Sequence, residues 1–135
     1  MAERRASAFV DRSTLGFVLG NLAGVLVERG ELDEAAGVIR EAAPLLVEPW
    51  QVWVVFDHLA LFLAKTGRLE AAAEAAGFTD RAYGDHGAVR QPNEQRARES
   101  LDALLREALS PRALAISMED GARLARSDAV SLLAG

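Results

Sequence analysis

The two histidines are the side chains in this sequence best suited to acid–base chemistry or metal binding. His58 follows Asp57 within a run of Val, Leu and Phe, and His86 lies in a glycine-rich segment. A general base needs a partner group held beside it in a pocket, and the sequence spacing supplies none. We expect His58 to be a hydrogen-bonded, partly buried residue of a packed helix rather than a ligand or a base, and His86 to be exposed.

Other catalytic and metal-binding patterns are missing from the sequence. There is no cysteine, so neither a disulfide nor a thiolate site can form. A zinc site takes three or four ligands at recognisable spacing, which two distant histidines do not supply. No G-x-S-x-G sequence supports a Ser-His-Asp set, and no G-x-x-x-x-G-K-[ST] loop is present to hold a nucleotide. We expect no enzymatic activity, no metal and no cofactor.

The charge distribution argues against nucleic-acid binding. The net charge is -5 at pH 7, whereas a nucleic-acid-binding surface needs clustered basic residues. The densest basic group, Arg90, Arg96 and Arg98, is interleaved with Glu94 and Glu99. We expect no direct contact with nucleic acid. The preference for Arg over Lys and the abundance of Ala are typical of a GC-rich bacterial genome.

The most apolar window, residues 15–27, has Asn21 as its only polar side chain. The window is shorter than the roughly 20 residues that a membrane-spanning helix needs. Residues 1–12 contain no apolar run of the kind found in signal peptides, so a cytoplasmic protein without a membrane contact is expected. Glycines recur every four residues in the window, which indicates a helix packed closely against a neighbour. They are Gly16, Gly20 and Gly24.

An internal repeat sets the positions of the helices. At an offset of 37 residues the sequence aligns with itself, and each copy has the pattern of a helix, a short turn and a second helix. Gly30 and Gly67 fall where the first helix of each copy ends and a left-handed residue is favoured. The other aligned pairs are Val18 with Val55, Leu22 with Leu59, Ala23 with Ala60, Leu32 with Leu69, Ala35 with Ala72 and Ala36 with Ala73.

This arrangement resembles the tetratricopeptide repeat, in which large apolar residues alternate with small ones. The matching positions are Leu19, Leu22, Ala23, Leu26, Ala35 and Ile39 in the first copy and Phe56, Leu59, Ala60, Leu63, Ala72 and Ala76 in the second. Aliphatic residues replace most of the family's aromatics. The period is about three residues longer than the usual 34, with the extra residues near Pro44 and Pro49. The resemblance implies an all-α fold of antiparallel helix pairs stacked as a superhelix.

The whole chain, residues 1–135, is expected to form a single domain. The repeats cover about 15–47 and 52–83, with helices at 13–29, 31–47, 50–66 and 69–83 and a backward extension of the first through 3–12. A C-terminal helical cap follows over about 92–134, with helices that begin at Pro92, at Pro111 after Ser110, and at Ser127. In the helix from Pro92, the side chains predicted to pack are Ala97, Leu101, Leu104, Leu105, Ala108 and Leu109, and those predicted to be solvated are Glu94, Arg98, Asp102 and Arg106.

The second repeat and the C-terminal segment are similar to the last repeats of large bacterial ATPase-type transcriptional regulators. The similar segments are residues 56–60, 67–72, 77–83, 101–109, 121–124 and 128–133. The resemblance implies a C-terminal regulatory part that senses a ligand or a partner. Because the sequence has neither a nucleotide-binding loop nor a basic recognition helix, ATPase and DNA-binding activities are not carried over.

The family's geometry implies a concave groove that binds a helical partner. Its lining would be Phe17, Gly20, Gly24, Val27, Glu28, Val54, Asp57, Leu61, Ala64 and Lys65. The partner would be a protein or peptide, or the neighbouring domains of a larger regulator. The alternative is a stand-alone structural homodimer, with no external ligand, whose second copy fills the groove.

Aromatic residues cluster on the third predicted helix, at Trp50, Trp53, Phe56 and Phe62. Core packing is the favoured interpretation, because this helix is apolar around most of its circumference. The other interpretation is that one side of the cluster is exposed and binds a partner, since exposed aromatic anchors often contribute much of the binding energy.

Overall fold

A computed structural model describes residues 2–47 and 52–134, with side chains from Arg12 onward. Within these ranges helices are the only regular secondary structure, as the sequence predicts. The helices are α1 (Ala2–Glu28), α2 (Leu32–Leu46), α3 (Trp53–Lys65), α4 (Leu69–Asp85), α5 (Pro92–Ala108), α6 (Pro111–Ala122) and α7 (Arg126–Ser131). None of the described helices combines the length and the apolar character that a membrane span requires.

The turns after α1 and α3 have the same backbone structure. Gly30 has a φ of 76° and Gly67 a φ of 87°, the left-handed conformation that favours glycine. The amide of Gly30 donates to Val27 O at 3.1 Å, and the next amide donates to Leu26 O at 2.9 Å. The corresponding two bonds recur after Gly67, so both turns satisfy carbonyl groups at the end of a helix. The predicted helix ends are confirmed at both glycines.

The helices pack around a row formed by α1, α3 and α5. α1 also packs along α2, and α3 along α4. α6 packs along α4 rather than along α5, and the short α7 contacts both α2 and α4. As a result residues 55–64 of α3 are all buried, which confirms that this helix is covered on several sides. Its predicted start at residue 50, with Trp50 and Pro49, lies outside the described residues.

Glycines on α1 allow two neighbouring helices of the same chain to approach closely. A Cβ atom added to Gly20 would lie 3.0 Å from the side chain of Val55, and one added to Gly24 would lie 2.7 Å from the ring of His58. The corresponding atom at Gly16 would lie 3.1 Å from Leu45 of α2. The helices that pack closely against these glycines, as the sequence predicts, are therefore α2 and α3.

A second close approach, which the sequence did not indicate, joins α4 to α6. A Cβ atom added to Gly77 would lie 2.0 Å from the backbone oxygen of Met118, and one added to Gly121 would lie 1.8 Å from the backbone oxygen of Glu74. Each glycine thus faces the backbone of the other helix. We call this pair, Gly77 and Gly121, the glycine crossing.

Candidate protein-interaction site

The face of α1 that points away from the rest of the protein is apolar and uncovered. Leu15, Val18, Leu22 and Val25 are 47%, 55%, 43% and 46% exposed. Their spacing of three, four and three residues places them along one side of the helix. Isolated exposed aliphatic residues are ordinary, whereas contiguous apolar patches are typical of candidate interaction sites. We call these four residues the α1 stripe.

The internal repeat shows what kind of surface the α1 stripe is. At the offset of 37 residues its members correspond to Val52, Val55, Leu59 and Phe62. All four of these counterparts are buried, and Val55 packs against Gly20 of α1. The α1 stripe is therefore the counterpart of a buried row on α3, and one member of that row, Val55, lies against α1. It has the composition of a helix-packing face but no helix of the described chain on it.

At the other end of the row of α1, α3 and α5, the exposed surface of α5 is mostly polar. From Gln95 onward the exposed residues of α5 are Gln95, Arg96, Glu99, Ser100, Ala103, Arg106, Glu107 and Ala108. Most of them are charged or polar, as expected for the terminal helix of a stack of repeats. The row of α1, α3 and α5 thus has one apolar end and one polar end.

The predicted groove is not an open surface among the described residues. Gly20, Gly24, Val27, Asp57, Leu61 and Ala64 are buried, Phe17 and Val54 are half-buried, and only Glu28 and Lys65 are exposed. Packing of α3 on α1 covers the two glycines, and Lys65 Nζ donates to Val27 O at 3.2 Å across the same contact. Partner binding through these residues stays a prediction, and the exposed apolar surface lies on the opposite side of α1.

A partly buried ion cluster joins α3, α4, α5 and the segment before α5. Asp57 is fully buried and accepts a hydrogen bond of 2.7 Å from Arg90 Nε. Arg90 also donates to Asp80 at 2.8 Å, and Arg98 donates both to Asp80 at 2.8 Å and to Asp102 at 2.8 Å. We call these five residues the ion cluster. The expectation that Arg98 and Glu94 lie on a solvated face is wrong, because both are buried by α5 packing on α3.

The carboxyl groups of the ion cluster respond differently to their surroundings. Burial raises the pKa of Asp57, and the hydrogen bond and charge of Arg90 offset part of that rise. Burial acts in the same direction on Asp80, but hydrogen bonds and charges from Arg98 and Arg90 outweigh it and lower the pKa of Asp80 below 3.8. Asp80 therefore stabilises the fold above pH 3.8, and its contribution is lost as the pH falls through its lowered pKa.

His58 is buried between helices rather than placed in a pocket. Its ring covers Gly24, and its Nε2 lies 3.8 Å from Glu94 Oε1, beyond hydrogen-bond distance. The neighbouring carboxylate is thus supplied by α5 and not by Asp57, which is engaged with Arg90. The described residues contain no group of three or more His, Asp or Glu side chains arranged to hold a metal ion.

The aromatic residues described on α3 belong to the core. Phe56 packs edge-on against Phe78 at 5.3 Å, and Trp53 packs edge-on against Tyr83 at 4.7 Å. His86 is exposed, as expected, and stacks on Trp53 at 5.2 Å. Trp50 lies outside the described residues.

The pKa of Tyr83 reflects the packing around the ion cluster. It is the only tyrosine of the chain, and burial, together with the charge of Asp57, raises its pKa to about 12. Since the folded protein keeps a proton that the unfolded chain loses near pH 10.0, stability is expected to fall as the pH rises above 10.0. Tyrosinate absorbance should give a midpoint near 12 in buffer and near 10.0 in denaturant. Equal midpoints would contradict this packing.

Comparisons of the chain with protein-family models, with curated proteins and with solved structures found no match.

Proposed function

We propose that this chain is a non-catalytic, tetratricopeptide-like module that binds another protein by accepting one of its helices on the α1 stripe. The observation that carries the proposal is the repeat equivalence: the α1 stripe is the uncovered counterpart of a buried row on α3, of which Val55 packs on α1. The two identical glycine turns and the row of α1, α3 and α5 support a stack of helix–turn–helix repeats.

The same equivalence indicates the chemistry of the partner helix. α1 meets α3 with glycines, where Gly20 and Gly24 leave room for Val55 and His58. A helix that covers the α1 stripe would likewise present small residues four positions apart. In the setting that the sequence resemblance implies, that helix belongs to the neighbouring repeats of a bacterial cytoplasmic transcriptional regulator, and this chain is its C-terminal regulatory part.

A peptide copy of α1 tests the proposal directly. The probe is a labelled peptide of residues 12–29 in which Val18→Lys and Leu22→Glu are joined as a lactam, which stabilises the helix and leaves its glycine face free. We expect weak, saturable binding to the intact chain by fluorescence anisotropy. A Gly20→Leu version of the peptide should not bind, because its small face is filled.

Two protein variants locate the binding site of that peptide. Leu22→Glu in the intact chain places a charge within the α1 stripe and is expected to abolish binding. Ile116→Glu is the matched control, because Ile116 is 50% exposed but lies on α6, away from the stripe. If the Leu22→Glu variant bound the peptide as well as the parent chain, the α1 stripe would not be the docking surface.

A homodimer is the second candidate, favoured by the symmetry of the α1 stripe. The spacing of three, four and three residues reads the same in both directions, so two antiparallel copies of α1 could pair leucine against valine. Light scattering over a concentration series separates the candidates. We expect a monomer, whereas a dimer that Leu22→Glu dissociates would replace the proposed function with self-assembly.

A further inference from the structure

A cleft of about 500 Å³ lies between the start of α3, the last turns of α4 and the turn that joins α6 to α7. This volume lies within the range of small-ligand pockets, roughly 300–1,000 Å³. Its apolar side includes Trp53, Phe78 and Leu124. Trp53 packs edge-on against the ring of Tyr83 and stacks with the ring of His86. The cleft therefore has an aromatic wall.

The rim of the cleft is basic although the chain as a whole carries a net charge of -5. Arg81, Arg123 and Arg126 line it, with Asp85 as the only acidic residue among the described lining. Arg81 donates to Ala122 O at 2.7 Å and lies 3.5 Å from Asp85. The side chains of Arg123 and Arg126 make no hydrogen bond or ion pair with the described part of the chain. Arg123 and Arg126, both at the rim of the cleft, are thus available to bind an anion.

Trp53 contributes apolar surface to the cleft rather than a hydrogen-bond donor. Its side chain lines the cleft, but its Nε1 is closed off from solvent and has no acceptor among the described residues. A ligand in the cleft therefore meets the ring of Trp53 and not its N–H group.

We propose that this cleft binds an acidic peptide segment. A carboxylate pairs with Arg123 and Arg126, and a neighbouring apolar side chain packs on Trp53 and Phe78. Arginine suits carboxylates because its planar donor groups match them in geometry. The described lining contains no serine or threonine, so it lacks the hydroxyl donors found in many phosphate sites.

Tryptophan fluorescence of a Trp50→Phe variant tests the proposal, because Trp53 is then the only tryptophan of the chain. The probes are a capped peptide of alternating Glu and Leu, the same peptide with Gln for every Glu, and inorganic phosphate. The Glu peptide should shift the emission saturably. The Gln peptide should bind roughly tenfold more weakly, since a hydrogen bond to a charged group contributes about 1.5–3 kcal/mol. Phosphate should compete poorly.

Variants of the rim assign the binding to the cleft. Arg123→Gln combined with Arg126→Gln should weaken binding of the Glu peptide roughly tenfold or more with little change in melting temperature. Arg112→Gln, an exposed arginine elsewhere on α6, is the matched control and should change nothing. Leu22→Glu should also leave this binding unchanged, so the cleft and the α1 stripe are tested separately.

Three results would overturn the proposal. The first is the absence of saturable binding by the Glu peptide. The second is an equal loss of binding in the Arg112→Gln variant, which would show non-specific attraction to positive charge. The third is full displacement of the peptide by phosphate at the same concentration, which would show a site for small anions.

Discussion

Gly121→Ala is expected to destabilise the protein by about 3 kcal/mol, the upper part of the range for overpacking a core. The new Cβ atom would lie 1.8 Å from the backbone oxygen of Glu74, and no change of rotamer can move a backbone atom. α6 must therefore shift away from α4 along the whole glycine crossing. In a thermal melt followed by circular dichroism, the midpoint should fall by roughly 10 °C.

The matched control is Gly37→Ala, which makes the same chemical change within α2. A Cβ atom at Gly37 would meet only the end of the Arg40 side chain, at 3.9 Å. Because alanine is favoured over glycine inside a helix, this variant should gain about 0.5–1 kcal/mol. Gly77→Ala should resemble Gly121→Ala, since its Cβ atom would lie 2.0 Å from the Met118 oxygen. A Gly121→Ala variant as stable as the parent would mean that α4 and α6 are not in this contact.

Asp57→Ala is the second large effect that we expect, with a loss of about 3–5 kcal/mol. Asp57 is fully buried beside Arg90 at 2.7 Å and within 3.9 Å of Arg98. Its removal leaves two largely buried guanidinium groups with one carboxylate fewer, and an uncompensated buried charge is costly. Chemical denaturation followed by far-ultraviolet circular dichroism measures the loss.

Two further variants show whether the loss of stability in Asp57→Ala comes from the lost charge or from shortening the side chain. Asp85→Ala removes one partner of an exposed ion pair, in which the side chains of Arg81 and Asp85 are 58% and 63% exposed, and should cost less than about 1 kcal/mol. Asp57→Asn keeps an acceptor for Arg90 but not the charge. Its loss of stability should therefore lie between the losses caused by Asp57→Ala and by Asp85→Ala. If Asp57→Ala cost no more than Asp85→Ala, the ion cluster would not be a structural link between α3 and α5.

The helices and the two turns could be predicted because their causes lie close together in the sequence. Gly30 and Gly67 act on their own turns, and Ser110 accepts a hydrogen bond from the amide of Ala113 at the start of α6, as its position before Pro111 predicts. Even the backward extension of α1 follows from local helix preference. These elements needed no knowledge of the tertiary packing.

The α1 stripe and the ion cluster could not be predicted in this way, because they depend on which faces become covered. α1 is apolar on nearly all sides in residues 15–27, and only the packing of α3 shows that its glycines are inside and its α1 stripe outside. The i,i+4 alternation with Glu94 and Asp102 predicts a solvated Arg98, since the sequence alone does not show that Asp80 of α4 is its partner. The only sequence signal for the α1 stripe was its alignment with Val52, Val55, Leu59 and Phe62 at the repeat offset.

The contrast between the apolar α1 stripe and the charged outer surface of α5 has a consequence for stoichiometry. If helices add to this protein only at α1, an assembly that contains it can lengthen at one end and is terminated at the other. One copy would then end one array, and adding more of the protein would shorten the arrays instead of producing filaments.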